Sequence, residues 1–103
     1  MFDDLLGNLQ KQQVALQQKL AETFVEAEAG DGAVVVKAGA DMHIENIRLD
    51  PAKLDLSDRE QLEDLLVVAL NRALEMARQE AAAESQKLLG GMLPGGMDQF
   101  LKP

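Results

Sequence analysis

The stretch that decides the fold runs from Leu49 to Ala77, L-D-P-A-K-L-D-L-S-D-R-E-Q-L-E-D-L-L-V-V-A-L-N-R-A-L-E-M-A. Asp50-Pro51 closes the preceding element, because the residue before a proline is pushed out of the α region. Ser57 and Glu60 have the spacing of a capping box, and Asp58, Glu60, Glu63 and Asp64 put negative charge where a helix macrodipole favours it. No Gly or Pro then interrupts the chain until Gly90. At about 100° per residue, Leu62, Leu65, Leu66, Ala69, Leu70, Ala73, Met76 and Ala77 fall on one stripe. Past Ala77 the stripe fails, as Glu80, Glu84 and Lys87 rotate onto it. A helix over residues 57–89 would be roughly 50 Å long, far longer than one small globule can cover. Its first part is expected to pack on a core and its last turns to project. Val67 and Val68 flank the stripe and widen it, so self-association is the economical reading.

Working back from this helix, Met42 to Leu49 reads as a strand in which Ile44 is out of phase with Ile47 and Leu49, predicting a bulge near Glu45-Asn46. Gly39-Ala40-Asp41 is a turn. Ala33 to Ala38, A-V-V-V-K-A, is the strongest strand signal and the expected centre of the sheet. Gly30-Asp31-Gly32 reads as a three-residue hairpin connection. It is not a phosphate loop, since a strand and not a helix follows it. Phe24 to Ala29 alternates in strand fashion. Residues 3–22 read as a first helix, with Leu6, Leu9, Leu16 and Leu20 in a narrow seam broken by Gln13. Its remaining positions are rich in amides, Gln10, Gln12, Gln17 and Gln18, with Lys11 and Lys19. Two readings of this helix stay open: a solvated helix pressing a stripe on a partner, or an arm whose amides and lysines touch phosphate and base edges.

The expected fold class is therefore α+β, an α-β-β-β-α protomer with a three-stranded antiparallel sheet and a long C-terminal helix. The expected elements are helix 3–22, strands 24–29, 33–38 and 42–49, and helix 57–89, in one domain over 1–89. Residues 90–103, Gly- and Pro-punctuated, read as a flexible tail. One sheet with one helix on it leaves its other face, its edges and the first helix needing cover, which a twofold homodimer would supply.

Composition narrows the function. The chain has 103 residues, 47% of them apolar, enough for one modest core. It lacks cysteine, so disulfides and thiolate metal sites are excluded. With no signal-peptide pattern at Met1-Phe2-Asp3-Asp4 and no long apolar run, a cytoplasmic protein without membrane attachment is expected. His43 is the only histidine, and the only hydroxyls it could meet are Thr23, Ser57 and Ser85. None sits in a nucleophile elbow, and no cofactor or metal site is expected. The reading is not an enzyme. Net charge is −8, and no segment is basic, which on charge alone opposes nucleic-acid binding.

The order of segments nevertheless resembles the YbaB/EbfC family of small bacterial nucleoid-associated proteins. The residues that carry the resemblance are Gly30-x-Gly32-x-Val34-x-Val36, Gly39, Ile47-x-Leu49-Asp50-Pro51-x-x-Leu54, Leu62-Glu63-Asp64-Leu65 and Ala69-x-Asn71-x-Ala73. Gly90-Gly91-Met92 with Pro94-Gly95 closes the series, and coverage is nearly end to end. The resemblance implies a tweezer-like homodimer that binds duplex DNA through helical arms. It also implies a role in nucleoid organisation, with effects on gene expression or repair. The positions that could contact DNA are Lys11 and Lys19 on the first helix and Arg72, Arg78 and Lys87 on the second. The departure is electrostatic: two copies carry −16, and Glu75, Glu80 and Glu84 stand among the proposed contacts. The expectation is weak, salt-sensitive, largely sequence-neutral DNA binding, the alternative being an acidic adaptor whose main partner is a protein.

Overall fold

In a computed structural model, described over residues 2–92, the chain forms α1 (Phe2–Glu22), β1 (Phe24–Ala29), β2 (Val34–Gly39), β3 (Ile44–Leu49) and α2 (Arg59–Met92). The strands form one antiparallel sheet in the order β1-β2-β3. The α-β-β-β-α order is the one the sequence predicts.

Several boundaries differ, and four of them have a visible local reason. Ala33 belongs to the β1–β2 turn, where its N–H donates to the Gly30 carbonyl at 3.1 Å. Gly30, Asp31 and Gly32 all have positive φ there, so the connection has four residues where three were expected. Met42 and His43 belong to the next turn and not to a strand. The Gly39 N–H donates to the His43 carbonyl, the Met42 N–H to the Gly39 carbonyl, and Met42 takes φ 71°. At its start α2 uses Asp58, not Ser57, as its cap. The Gln61 N–H donates to the Asp58 carboxylate at 3.2 Å and the Leu62 N–H to the Asp58 carbonyl. The Ser57–Glu60 capping box does not form, because the Ser57 hydroxyl and N–H both donate to the Asp55 carboxylate. Those bonds hold the Asp55 carboxyl below its ordinary range. At its far end α2 runs through Gly90 and Gly91 to Met92. Glycine weakens a helix without forbidding it, and the first proline comes only at Pro94. Of the tail expected over residues 90–103, residues 90–92 are thus helical, and those from 93 on lie outside the described residues.

The core is a thin layer between α2 and the first two strands. Ala69, Ala73 and Ala77 of α2 are fully buried, as are Val34, Val36 and Ala38 of β2. Ala27 and Ala29 of β1 join them, and Leu54, Leu62, Leu65, Leu66 and Leu70 pack around the rim. A line of alanines lets the helix axis approach the sheet closely, and the leucines on either side fill the angle between helix and strands. The β3 register slips by one residue between Lys37↔Asn46 and Ala38↔Ile44, which leaves Glu45 as the bulge.

Asp58→Ala should lower unfolding stability by about 1 kcal/mol in urea titrations, the usual cost of losing a helix N-cap. Glu60→Gln should stay within about 0.5 kcal/mol. The reverse ranking would restore the capping box.

Candidate nucleic-acid interface

Cation-bearing helices and an uncovered apolar strip set the surface of this chain, and both follow from where α2 sits. It packs on β1 and β2 and leaves β3 bare. Residues opposite each other in an antiparallel pair point to the same face. Leu49, Ile47 and Ile44 pair with Val34, Val36 and Ala38, so they lie on the core side of the sheet. Yet all are about 40% exposed. On α2, the Arg72 guanidinium donates to the Glu28 carbonyl at 2.8 Å, which fixes the flank facing the β1 edge. Leu70, Leu74 and Val67 lie about 160–220° around the helix from Arg72 and so face the β3 side. On that side of the molecule Val67 is exposed and Leu70 and Leu74 are half-buried, beside the exposed Ile44, Ile47 and Leu49 of β3.

The opposite sheet face, which the sequence reading expected to need cover, carries its own polar dressing. Glu26, Glu28, Lys37, Asn46 and Arg48 all project there. Arg48 reaches over β2 to Glu26 at 3.5 Å, and the Lys37 ammonium lies 4.6 Å from the centre of the Phe24 ring. Phe24 and Val35 share this mostly polar face, while the core side of β3 leaves Ile44, Ile47 and Leu49 exposed.

The helical arms are built at the opposite end. Leu20 is buried at the root of α1, and the Ala40 N–H donates to the Thr23 carbonyl at 2.8 Å, tying the α1–β1 junction to the end of β2. The Thr23 hydroxyl caps the helix by donating to the Lys19 carbonyl at 2.7 Å. Beyond Leu20 the helix leaves the sheet, and α2 leaves it past Ala77. The two share a cleft lined by Gln12, Ala15, Leu16, Lys19, Glu84, Lys87 and Leu88. The chain consequently measures 64 × 32 × 17 Å, with a radius of gyration of 18.9 Å, against about 13 Å for a compact domain of this length.

The five cations singled out from the sequence fall into three situations. Lys11 and Lys19 are exposed on α1 and have no ion-pair or hydrogen-bond partner among the described residues. Arg78 and Lys87 each pair with a carboxylate three residues earlier, Glu75 at 3.1 Å and Glu84 at 3.5 Å. Arg72 is committed to the Glu28 carbonyl, a fold contact. Sequence reasoning missed the apolar strip on β3, although the signal was present: Ile47 and Leu49 lie in a terminal strand with no later strand to pair with. His43 is exposed in the β2–β3 turn, its Nδ1 3.0 Å from the Asp41 carboxylate. Among the described residues no group of three His, Asp or Glu side chains could hold a metal ion. No described helix is long and apolar enough to cross a membrane.

The profile of the YbaB/EbfC DNA-binding family matches residues 1–92. A protein of Chloroflexus aggregans named a nucleoid-associated protein is 40% identical over 84 residues, covering 82% of this chain and 84% of that protein. One of Myxococcus xanthus with the same name is 44% identical over 80 residues, covering 77% and 76%. The crystal structure of the uncharacterized protein HP0035 from Helicobacter pylori has the same fold. It superimposes with a TM-score of 0.73 at 22% identity, over 85% of this chain and 92% of that one.

Arg72→Ala should lower unfolding stability by about 1 kcal/mol, since it leaves the Glu28 carbonyl without its charged donor. An unchanged urea midpoint would show the bond to be incidental.

Proposed function

This chain belongs to the YbaB/EbfC DNA-binding family, and on that footing we propose that it binds duplex DNA weakly and without sequence preference as a tweezer-like homodimer. In this reading the strip of Ile44, Ile47, Leu49, Val67, Leu70 and Leu74 meets the same strip of a second copy across a twofold axis. Such an isologous contact buries on each protomer what α2 leaves bare. The helical arms then stand out from the dimer as two prongs. The partners are a second copy of this chain and duplex DNA, the location is the nucleoid in the cytoplasm, and the effect is on nucleoid organisation and through it on gene expression or repair. No catalytic step is assigned.

The observation that carries the DNA part is the contrast among cations. Lys11 and Lys19 lie exposed on an arm without acidic partners among the described residues, whereas of the candidate contacts on α2 Arg78 and Lys87 pair with carboxylates and Arg72 with a carbonyl. Lysines on a solvated helix act as point charges for phosphate, which gives affinity without base readout. With few unpaired cations among the described residues and a protomer charge of −8, the complex is weak, and because phosphate contacts supply its affinity it is salt-sensitive. Arg78 and Lys87 add to the contact once their carboxylates are displaced, and Arg72 least, because its guanidinium is held by the fold. The competing reading, an acidic adaptor for another protein, draws on the same net charge and on the carboxylates that accompany Arg78 and Lys87.

Two measurements decide between these. Gel shifts on unrelated duplexes should show comparable binding at about 50 mM salt and its loss by about 200 mM. Lys11→Glu with Lys19→Glu should abolish it while the chain keeps its oligomeric state; absence of any shift from the wild type at low salt leaves the adaptor. For the dimer, sedimentation of the wild type at micromolar concentration should give twice the protomer mass and Ile47→Asp the protomer mass. A wild-type monomer, or an Ile47→Asp dimer, removes this interface.

A further inference from the structure

We propose that Glu84 is a built-in attenuator of the arm, a carboxylate placed to hold down the affinity of Lys19 and Lys87 for polyanions. This rests on the DNA-binding reading and goes beyond it, by assigning a residue that sets how tightly the arm grips.

Two acids on α2 sit three residues before a cation, and they are not equivalent. Glu75 pairs with Arg78 at 3.1 Å, the shorter of the two contacts, but its side chain is 60% exposed. Glu84 pairs with Lys87 at 3.5 Å with a side chain only 13% exposed. Exposure decides which matters. Around Glu75 water screens the charge and the pair contributes little. Glu84 is walled in by α1, in the cleft formed with Gln12, Ala15, Leu16 and Lys19. With less water around it, its field reaches neighbouring groups less screened. Those groups are Lys87, its direct partner, and Lys19, which lines the same cleft from the opposite helix. One covered carboxylate therefore acts on a cation of each helix.

A phosphate approaching Lys19 and Lys87 must compete with Glu84 for Lys87 and is repelled by the same charge. The arrangement favours binding that is readily reversed. The covered position of Glu84 is not required by the core, since Ala69, Ala73 and Ala77 end the buried line of α2 before it.

The test compares Glu84→Gln with Glu75→Gln. Each removes one negative charge from the same helix, and glutamine keeps the size of the side chain. By fluorescence anisotropy on a mixed-sequence duplex, Glu84→Gln should bind at least threefold more tightly at low salt. Its plot of log affinity against log salt should be steeper by about one unit, the release expected for one more phosphate contact. Glu75→Gln should stay within a factor of about two of the wild type, and both should unfold at the wild-type urea midpoint. Equal tightening by the two variants would reduce the effect to net charge and overturn the proposal, as would no tightening by Glu84→Gln. Salt elution from a heparin column reads the same attraction without DNA. If no protein binds duplex, the DNA reading fails; later elution of Glu84→Gln alone still supports the attenuator, and co-elution of all three overturns it.

Discussion

The close approach of α2 to β1 and β2 is the contact on which the rest of the structure depends. Ala69, Ala73 and Ala77 are fully buried against Val34, Val36 and Ala38. A larger side chain at those alanines would have to lift the helix or take a strained rotamer. The consequences spread from that line. Because α2 lies over the first two strands, Arg72 reaches the Glu28 carbonyl on one side, and Ile44, Ile47 and Leu49 are left bare on the other. Because the line ends at Ala77, among the described residues it is α1 that the remaining turns of α2 meet.

That geometry divides the molecule into a body and an arm with different physics. The body is held by a small aliphatic core with no buried polar or charged residue among the described residues, and apolar side chains remain exposed along β3. The arm is held by little apolar contact, and α1 exposes charges and amides together with Phe2, Leu5, Leu6, Leu9 and Val14. Binding through such an arm depends on how each cation is paired more than on the total charge of the chain. An acidic protein can still offer a phosphate two lysines that form no ion pair among the described residues, because screening confines the influence of distant carboxylates to about 8 Å at physiological salt.

Much of this was legible in particular residues. The alternation of Phe24 to Ala29, the run Val34-Val35-Val36 and the stripe from Leu62 to Ala77 named the elements and the α2 face that is buried, and the phase slip at Ile44 foretold the bulge at Glu45. The family resemblance rested on the order of such weak signals. What failed were choices between neighbouring groups of similar chemistry. Ser57 and Asp58 can both cap a helix, and Asp55, three residues from Asp58 and two from Ser57, settled the matter by engaging the serine. The five cations looked alike in the sequence. Whether each meets a carboxylate, a carbonyl or water depends on side-chain reach across the fold.

The sequence by itself determined the type and order of the elements, because helix and strand periodicity, turn residues and caps act over a few positions. It also determined that α2 outruns any core this chain could build, since length and apolar stripe are both written in one segment. Only the tertiary structure decided which side of the sheet stays bare, that Arg72 serves the fold, and that Glu84 is covered while Glu75 is not. Those outcomes depend on where α2 lies laterally over the strands and where α1 meets it. Both are set by packing between segments far apart in the chain, of which no local pattern carries a record.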